Sequence, residues 1–279
     1  MKKTNMNKIL LGLSILILSS CGNGNSQSSE TSNTSQSQFE WDFSKKRKFI
    51  YSFSQTVNGE NKMDKDRPAE KTYMTGVGHL NLRVKENNLA DLSLTDVEMN
   101  MIMFNEDGTP RDTMTQKAPT NVVQDMKPDG SFGDSNTDIL FDMLFPLPNK
   151  KLEKGDSDEV PMQMPFNANG SRLFSKGQNT LTFTGYEEIE GRNCAVLKGE
   201  IDISKLDVPD ELKGEYECST TGNATYYFDL ENGFYVGADI QMVMDVMMDS
   251  ESENEEDFGM YMKMKSNNVY KIRLEKIEE

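Results

Sequence analysis

"GFYVGADIQMVMDVMM", residues 233–248, decides the fold. Its even positions are apolar throughout: Phe234, Val236, Ala238, Ile240, Met242, Met244, Val246 and Met248. Asp239, Gln241 and Asp245 stand among the odd ones. A period of two over so long a run predicts a β-strand with one dry face and one wet face. Residues 258–274 repeat the pattern, with Phe258, Met260, Met262, Met264, Tyr270, Ile272 and Leu274 on the even side. Strands of about 16 residues twist and bend strongly. The pair therefore predicts a curved antiparallel sheet.

The same alternation runs outward from this pair. Phe49, Tyr51 and Phe53 alternate, as do Leu80, Leu82 and Val84. In residues 88–104 the parity changes, from Leu92 and Leu94 to Val97, Met99, Met101 and Met103. An extra residue is needed there, which predicts a β-bulge near Thr95–Asp96. Turns are expected at 86–88, at 190–193 and at 231–233, the last through the Asn-Gly pair of a type I′ hairpin. One short helix is expected over 136–145, ended by Pro146. Residues 104–135 and 145–180 read largely as loop, with a proline-rich connector at 145–166. Residues 75–103 and 221–248 both begin Thr-Gly and end in a methionine stripe, a long hairpin used twice. The expectation is mainly β: one domain over 39–279, with a two-part repeat, 45–144 and 167–279, joined by 145–166.

Residues 1–20 carry Lys2, Lys3 and Lys8 before the apolar run Ile9–Leu18, too short to span a bilayer but right for a signal-peptide core. Leu18-Ser19-Ser20-Cys21 follows and resembles the lipobox of bacterial lipoproteins. That resemblance implies lipidation of Cys21, a membrane anchor without a membrane span, and, with Gly22 next, the outer membrane. The membrane face stays open. Residues 21–38 read as a disordered polar tether, with a mean reach of roughly 20–25 Å. Three of the 30 basic residues and none of the 46 acidic ones lie in the signal, leaving 27 against 46, a net −19. So acidic a chain is not expected to bind nucleic acid.

Little in the sequence carries reaction chemistry. His79 is the one histidine and takes an outward position beside Leu80, so neither a nucleophilic triad nor a usual zinc site is expected. No enzyme activity, cofactor or resident metal is expected. The acidic run 249–257 lacks the glycine and spacing of an EF-hand loop. Asp112-Thr113-Met114 resembles an Asp-Thr-aliphatic O-glycosylation site of some envelope bacteria. Cys194 and Cys218 are expected to form a disulfide in an oxidising compartment, with two separate buried thiols as the alternative.

The methionine stripes admit three readings. They can line a groove for a hydrophobic ligand, since thioether side chains adapt in shape. They can fill a closed core of a structural or protein-interaction module. As soft ligands they can hold Cu(I), although two sulfurs of one strand lie about 7 Å apart and a neighbouring strand must then contribute. The lipobox, tether, long one-sided strands and short helix together resemble half-barrel envelope lipoproteins of the LolA/LolB/LppX type. The connector at 145–166 is similar to one in envelope lipoproteins of unknown function. The half-barrel resemblance implies a lipid or acyl chain on the concave face, lined by Met99, Met101, Met103, Ile240, Met242, Met244, Met260, Met262 and Met264.

Overall fold

The computed structural model describes residues 39–132, 139–168, 171–208, 214–250 and 261–279. Cys21, Met260 and most of the acidic run 249–257 lie outside them. Among these residues eleven strands form one sheet. The first half holds β1 (Lys48–Lys62), β2 (Glu70–Val84), β3 (Ala90–Phe104), β4 (Pro110–Lys117) and β5 (Asn121–Met126). The second holds β6 (Ser157–Ala168), β7 (Ser171–Ile189), β8 (Arg192–Asp207), β9 (Gly214–Asp229), β10 (Phe234–Ser250) and β11 (Tyr261–Glu278). Among the described residues one helical segment, α1 (Ile139–Leu144), sits between the halves. No described helix is long and apolar enough to cross a membrane.

The sheet order is β4-β3-β2-β1-β11-β10-β9-β8-β7-β6, with β5 also on β3. All pairings are antiparallel. The first and last strands meet at the centre, Phe53 opposite Ile272 and Val57 opposite Asn268. This seam joins both halves of the sequence repeat into one curved, unclosed sheet. Its free edges are β4 with β5 on one side and β6 on the other.

The predicted bulge is present. Asp96 takes a left-handed φ of 54°, and the β2–β3 register skips between Val77 and His79. Gly78 makes room for it, because a Cβ there would meet Val97 Cγ2 at 2.8 Å. The bulge also divides the outer edge of β3. Residues beyond it take β4 as partner and those before it take β5. Glu190 and Gly191 both have positive φ, 52° and 75°, and close β7–β8 as a two-residue turn. The Asn-Gly turn differs from expectation. Asp229 pairs with Phe234, so the loop holds four residues, and the Asp229 carboxylate accepts from Asn232 N at 3.0 Å.

Two segments read as loop hold strands. β4 and β5 fall within 104–135, and β6 and the first ten residues of β7 within 145–180, β6 beginning inside the proline-rich connector. Proline hides β6 in the sequence but suits an edge. Pro161 and Pro165 share parity, so both stand where an N–H would point away from β7. The second half thus begins at Ser157 rather than 167, and the connector is shorter than expected. α1 covers 139–144 of the expected 136–145.

One end of the inner face is plugged by residues 39–43 and by the connector. Trp41 N donates to Pro128 O at 2.8 Å and Asp42 N to Gly233 O at 2.7 Å. The Trp41 ring meets Phe43, Phe49, Phe145, Phe228 and Tyr235 at 5.6–6.5 Å. Tyrosine hydroxyls satisfy carbonyls of α1 and the connector, Tyr226 to Met143 O at 3.0 Å and Tyr235 to Pro146 O. Tyr51 donates to Tyr235 O at 2.9 Å.

Candidate functional site

The other end of the inner face belongs to methionine. Strand register places Met114, Met101, Met74 and Val57 side by side on β4, β3, β2 and β1, and continues through Asn268 and Met242 on β11 and β10. The next row toward the strand ends holds Met103, Thr72, Gly59, Ser266, Met244 and Thr220. Further out, Met264 faces Val246, and Met262 faces Met248. β6 closes the far side with Met162 and Met164. The face is not wholly apolar, since Ser266, Asn268 and Thr220 are buried on it. Asn268 Nδ2 donates to Ser266 Oγ at 3.0 Å, and Thr220 Oγ1 reaches Met164 Sδ at 3.8 Å.

Of the residues expected to line a groove, Met99, Met101, Met103, Ile240, Met242, Met244, Met262 and Met264 all belong to this inner face. They do not lie open. Met242 is 2% exposed, Met262 3% and Met103 9%, whereas Met244 is half-buried. The methionines pack closely against their neighbours. Nor do they form one group. Met99, Met101, Ile240 and Met242 share the main core, while Met262 and Met264 pack with Leu173, Cys218, Val246 and Met248. β1 and β2 lie between the β3 stripe and the β10–β11 stripes. Met74, Met114, Met162 and Met164 were missed by sequence reading. Met74 keeps the even parity of Leu80 and Leu82 and was detectable; the other three lie in segments read as loop.

The internal repeat recurs in this geometry. Gly76 of β2 stands opposite Met99, and Gly222 of β9 opposite Met242. A Cβ at Gly222 would come within 2.3 Å of Gln241 O and 2.8 Å of Met242 Cγ. Each hairpin thus sets a glycine under a methionine.

The expected disulfide is not formed, and both thiols are free and buried. Cys194 begins β8 beside the Ala195–Phe228 pair, while Cys218 lies beyond Ile203–Thr220, at the other end of β9. Eleven strand positions separate them, about 35 Å at roughly 3.3 Å per residue. A bridge needs Cα atoms within about 7 Å. Burial pushes the Cys194 thiol up to about 11, with the Asp229 carboxylate adding to it. Burial also raises Cys218, opposed by a hydrogen bond with Ser175. Tyr51, Tyr226, Tyr235 and Tyr270 are raised by burial as well.

These shifts set the alkaline limit of the fold. The unfolded chain releases the Cys194 proton near 9.0 and the folded chain near about 11. Between those values the unfolded state binds fewer protons, so stability is full below pH 9 and falls as pH rises. The buried tyrosines, raised from 10.0, act in the same direction. The urea midpoint is therefore expected to drop steadily from pH 9 to 11. A midpoint flat across that range contradicts the burial of these groups.

His79 faces outward, half-exposed, with Nε2 3.7 Å from Glu275 Oε2. Among the described residues no cluster of three or more His, Cys, Asp or Glu side chains could hold a metal ion. The ion pairs, such as Arg273 with Asp239 at 2.7 Å and Arg192 with Asp229 at 3.3 Å, pin neighbouring strands.

No protein-family model matches this chain, nor does any curated protein sequence. Among solved structures, the chain is similar to lipovitellin, in a study of its lipid–protein interactions, at 11% identity and a TM-score of 0.45. That match covers 85% of this chain and 26% of the other, so this chain spans about a quarter of lipovitellin's length. A DUF1329 family protein from Desulfovibrio piger follows at 11% identity and a TM-score of 0.16, over 82% and 85% of the two chains. An outer membrane lipoprotein-sorting protein domain from Vibrio parahaemolyticus matches at 7% and 0.14, over 81% and 84%. At these identities and scores the likeness assigns this chain neither a family nor an activity.

Proposed function

We propose that this protein is a lipid-anchored, non-enzymatic component of the outer-membrane envelope that takes up a hydrophobic ligand, an acyl chain or lipid, between the methionine rows of its inner face. The anchor is Cys21. One observation carries the reading: the inward methionines of β2, β3, β4, β6, β10 and β11 gather toward one end of the face, while the ring contacts and hydrogen bonds of the plug fall at the other. Methionine has three rotatable bonds and loses little on repacking, so such a face can part for a chain and close again. Burying about ten methylenes would contribute about 8 kcal/mol, enough to offset many displaced side-chain contacts.

Met244 is the sharpest place to test this. It is half-buried, so a charge there can keep contact with water and the fold can persist. Met244→Asp is expected to abolish uptake of a fluorescent fatty acid with unchanged circular dichroism. Undiminished uptake by the folded variant would count against the ligand face. The depth at which Met242 and Met262 are buried supports a second reading, a closed-core protein-interaction module. That reading predicts no uptake by the unaltered protein.

A further inference from the structure

Alternate sulfurs of one strand lie about 7 Å apart, so a copper site in this face needs methionines from neighbouring strands. Strand register supplies them. Met74 stands directly opposite Met101, and Met101 directly opposite Met114. Directly opposed residues of antiparallel strands have Cβ atoms about 4.5–5.5 Å apart, within reach of one ion for side chains as long as methionine. All three share one face. Met74 and Met101 are buried, and Met114 is half-buried and packs against the main core. β4 is an outer strand, so the cluster lies at the rim of the sheet with an approach from solvent.

We propose that Met74, Met101 and Met114 form a three-thioether site for a soft monovalent cation, Cu(I). This goes beyond the hydrophobic-ligand reading, which concerns the whole inner face. Three neutral soft donors suit Cu(I) and discriminate against Zn²⁺ and Ca²⁺, which favour harder or anionic ligands. Neighbouring groups limit the donor set. Arg111 Nη2 donates to Met103 Sδ at 3.6 Å, so Met103 is engaged by a cation already. Glu70 holds the same guanidinium at 2.9 Å and offsets its charge beside the site. Met99 lies one row away, opposite Gly76 and Gln116 rather than a second methionine.

The test is Cu(I) titration of the full chain in mild detergent under ascorbate, against bicinchoninate as competitor. Ag⁺ serves as a redox-inert probe and Zn²⁺ as a hard control. The comparison variant is Met74→Leu with Met101→Leu and Met114→Leu. Leucine keeps volume and apolarity, so the fold is expected to persist, checked by circular dichroism and the urea midpoint. The unaltered chain is expected to hold one Cu(I), with sulfur-only scattering in X-ray absorption, and the triple variant to lose it. No retention by the unaltered chain overturns the proposal. Equal retention by the triple variant overturns it too, since the metal then sits elsewhere. Fatty-acid uptake is measured on the unaltered chain without copper, and copper binding without fatty acid, so either reading can fail alone.

Discussion

Trp41→Ala is expected to lower the unfolding free energy by about 3–5 kcal/mol, the range for deleting a large buried aromatic. Trp41 is 2% exposed and lies at the centre of the plug. Its ring touches partners from β1, β9, β10 and the connector: Phe49, Phe228, Tyr235 and Phe145. Few neighbours can move into the space, because the tyrosine hydroxyls are tied to Met143 O and Pro146 O. One term works the other way. Trp41 Nε1 is buried without a protein partner, so its removal recovers part of a desolvation cost. That partial recovery places the result toward the lower end of the range. Urea titration at neutral pH measures it. A loss below about 1 kcal/mol would show that residues 39–43 merely rest on the sheet rather than hold it.

Gly177→Ala should cost more than about 3 kcal/mol, at the severe end of overpacking. A Cβ at Gly177 would fall 1.9 Å from Asp202 O and 2.5 Å from Ile203 Cα. Both are backbone atoms, so no rotamer change relieves the clash. The β7–β8 register shifts between Lys176 and Gly177, so β8 bulges toward this glycine. The chain can escape only by opening that pairing, which also releases β6 at the sheet edge. Gly191→Ala is the control. It meets nothing within 4 Å but has φ 75°, so its cost is conformational, about 1–2 kcal/mol. Thermal melts of the two variants should differ clearly. Equal, small losses would mean that β8 does not approach Gly177 so closely.

The sequence shows strands best where one face is dry. β11 follows its alternation from Met262 to Leu274 and β10 does so beyond Ala238, whereas odd-position Tyr235 is buried as well, and the parity change in β3 locates its bulge at Asp96. β4 and β6 escape that reading for a physical reason. β4 is an edge strand, exposed over most of its length, and β6 carries Pro161 and Pro165. Neither needs a strict dry face, so neither shows the period. Pairing is harder still. The β1–β11 seam joins Phe53 to Ile272, and no local pattern encodes so distant a partner. The same gap explains the disulfide: Cys194 and Cys218 look close in sequence but lie at opposite ends of a long strand pair. It also explains the candidate site. The stripes show which methionines face inward. Only register shows that Met74, Met101 and Met114 adjoin, or that β1 and β2 separate the two groups of stripes.

Native mass spectrometry of the full chain, purified gently from an envelope-exporting bacterial host with a detergent-only control, decides whether the methionine rows open for a hydrophobic ligand. An added mass of lipid size is expected, removable by organic extraction and absent from Met244→Asp. A bare chain mass, persisting after incubation with vesicles of envelope lipids, would contradict it and leave the methionines as the core of an interaction module.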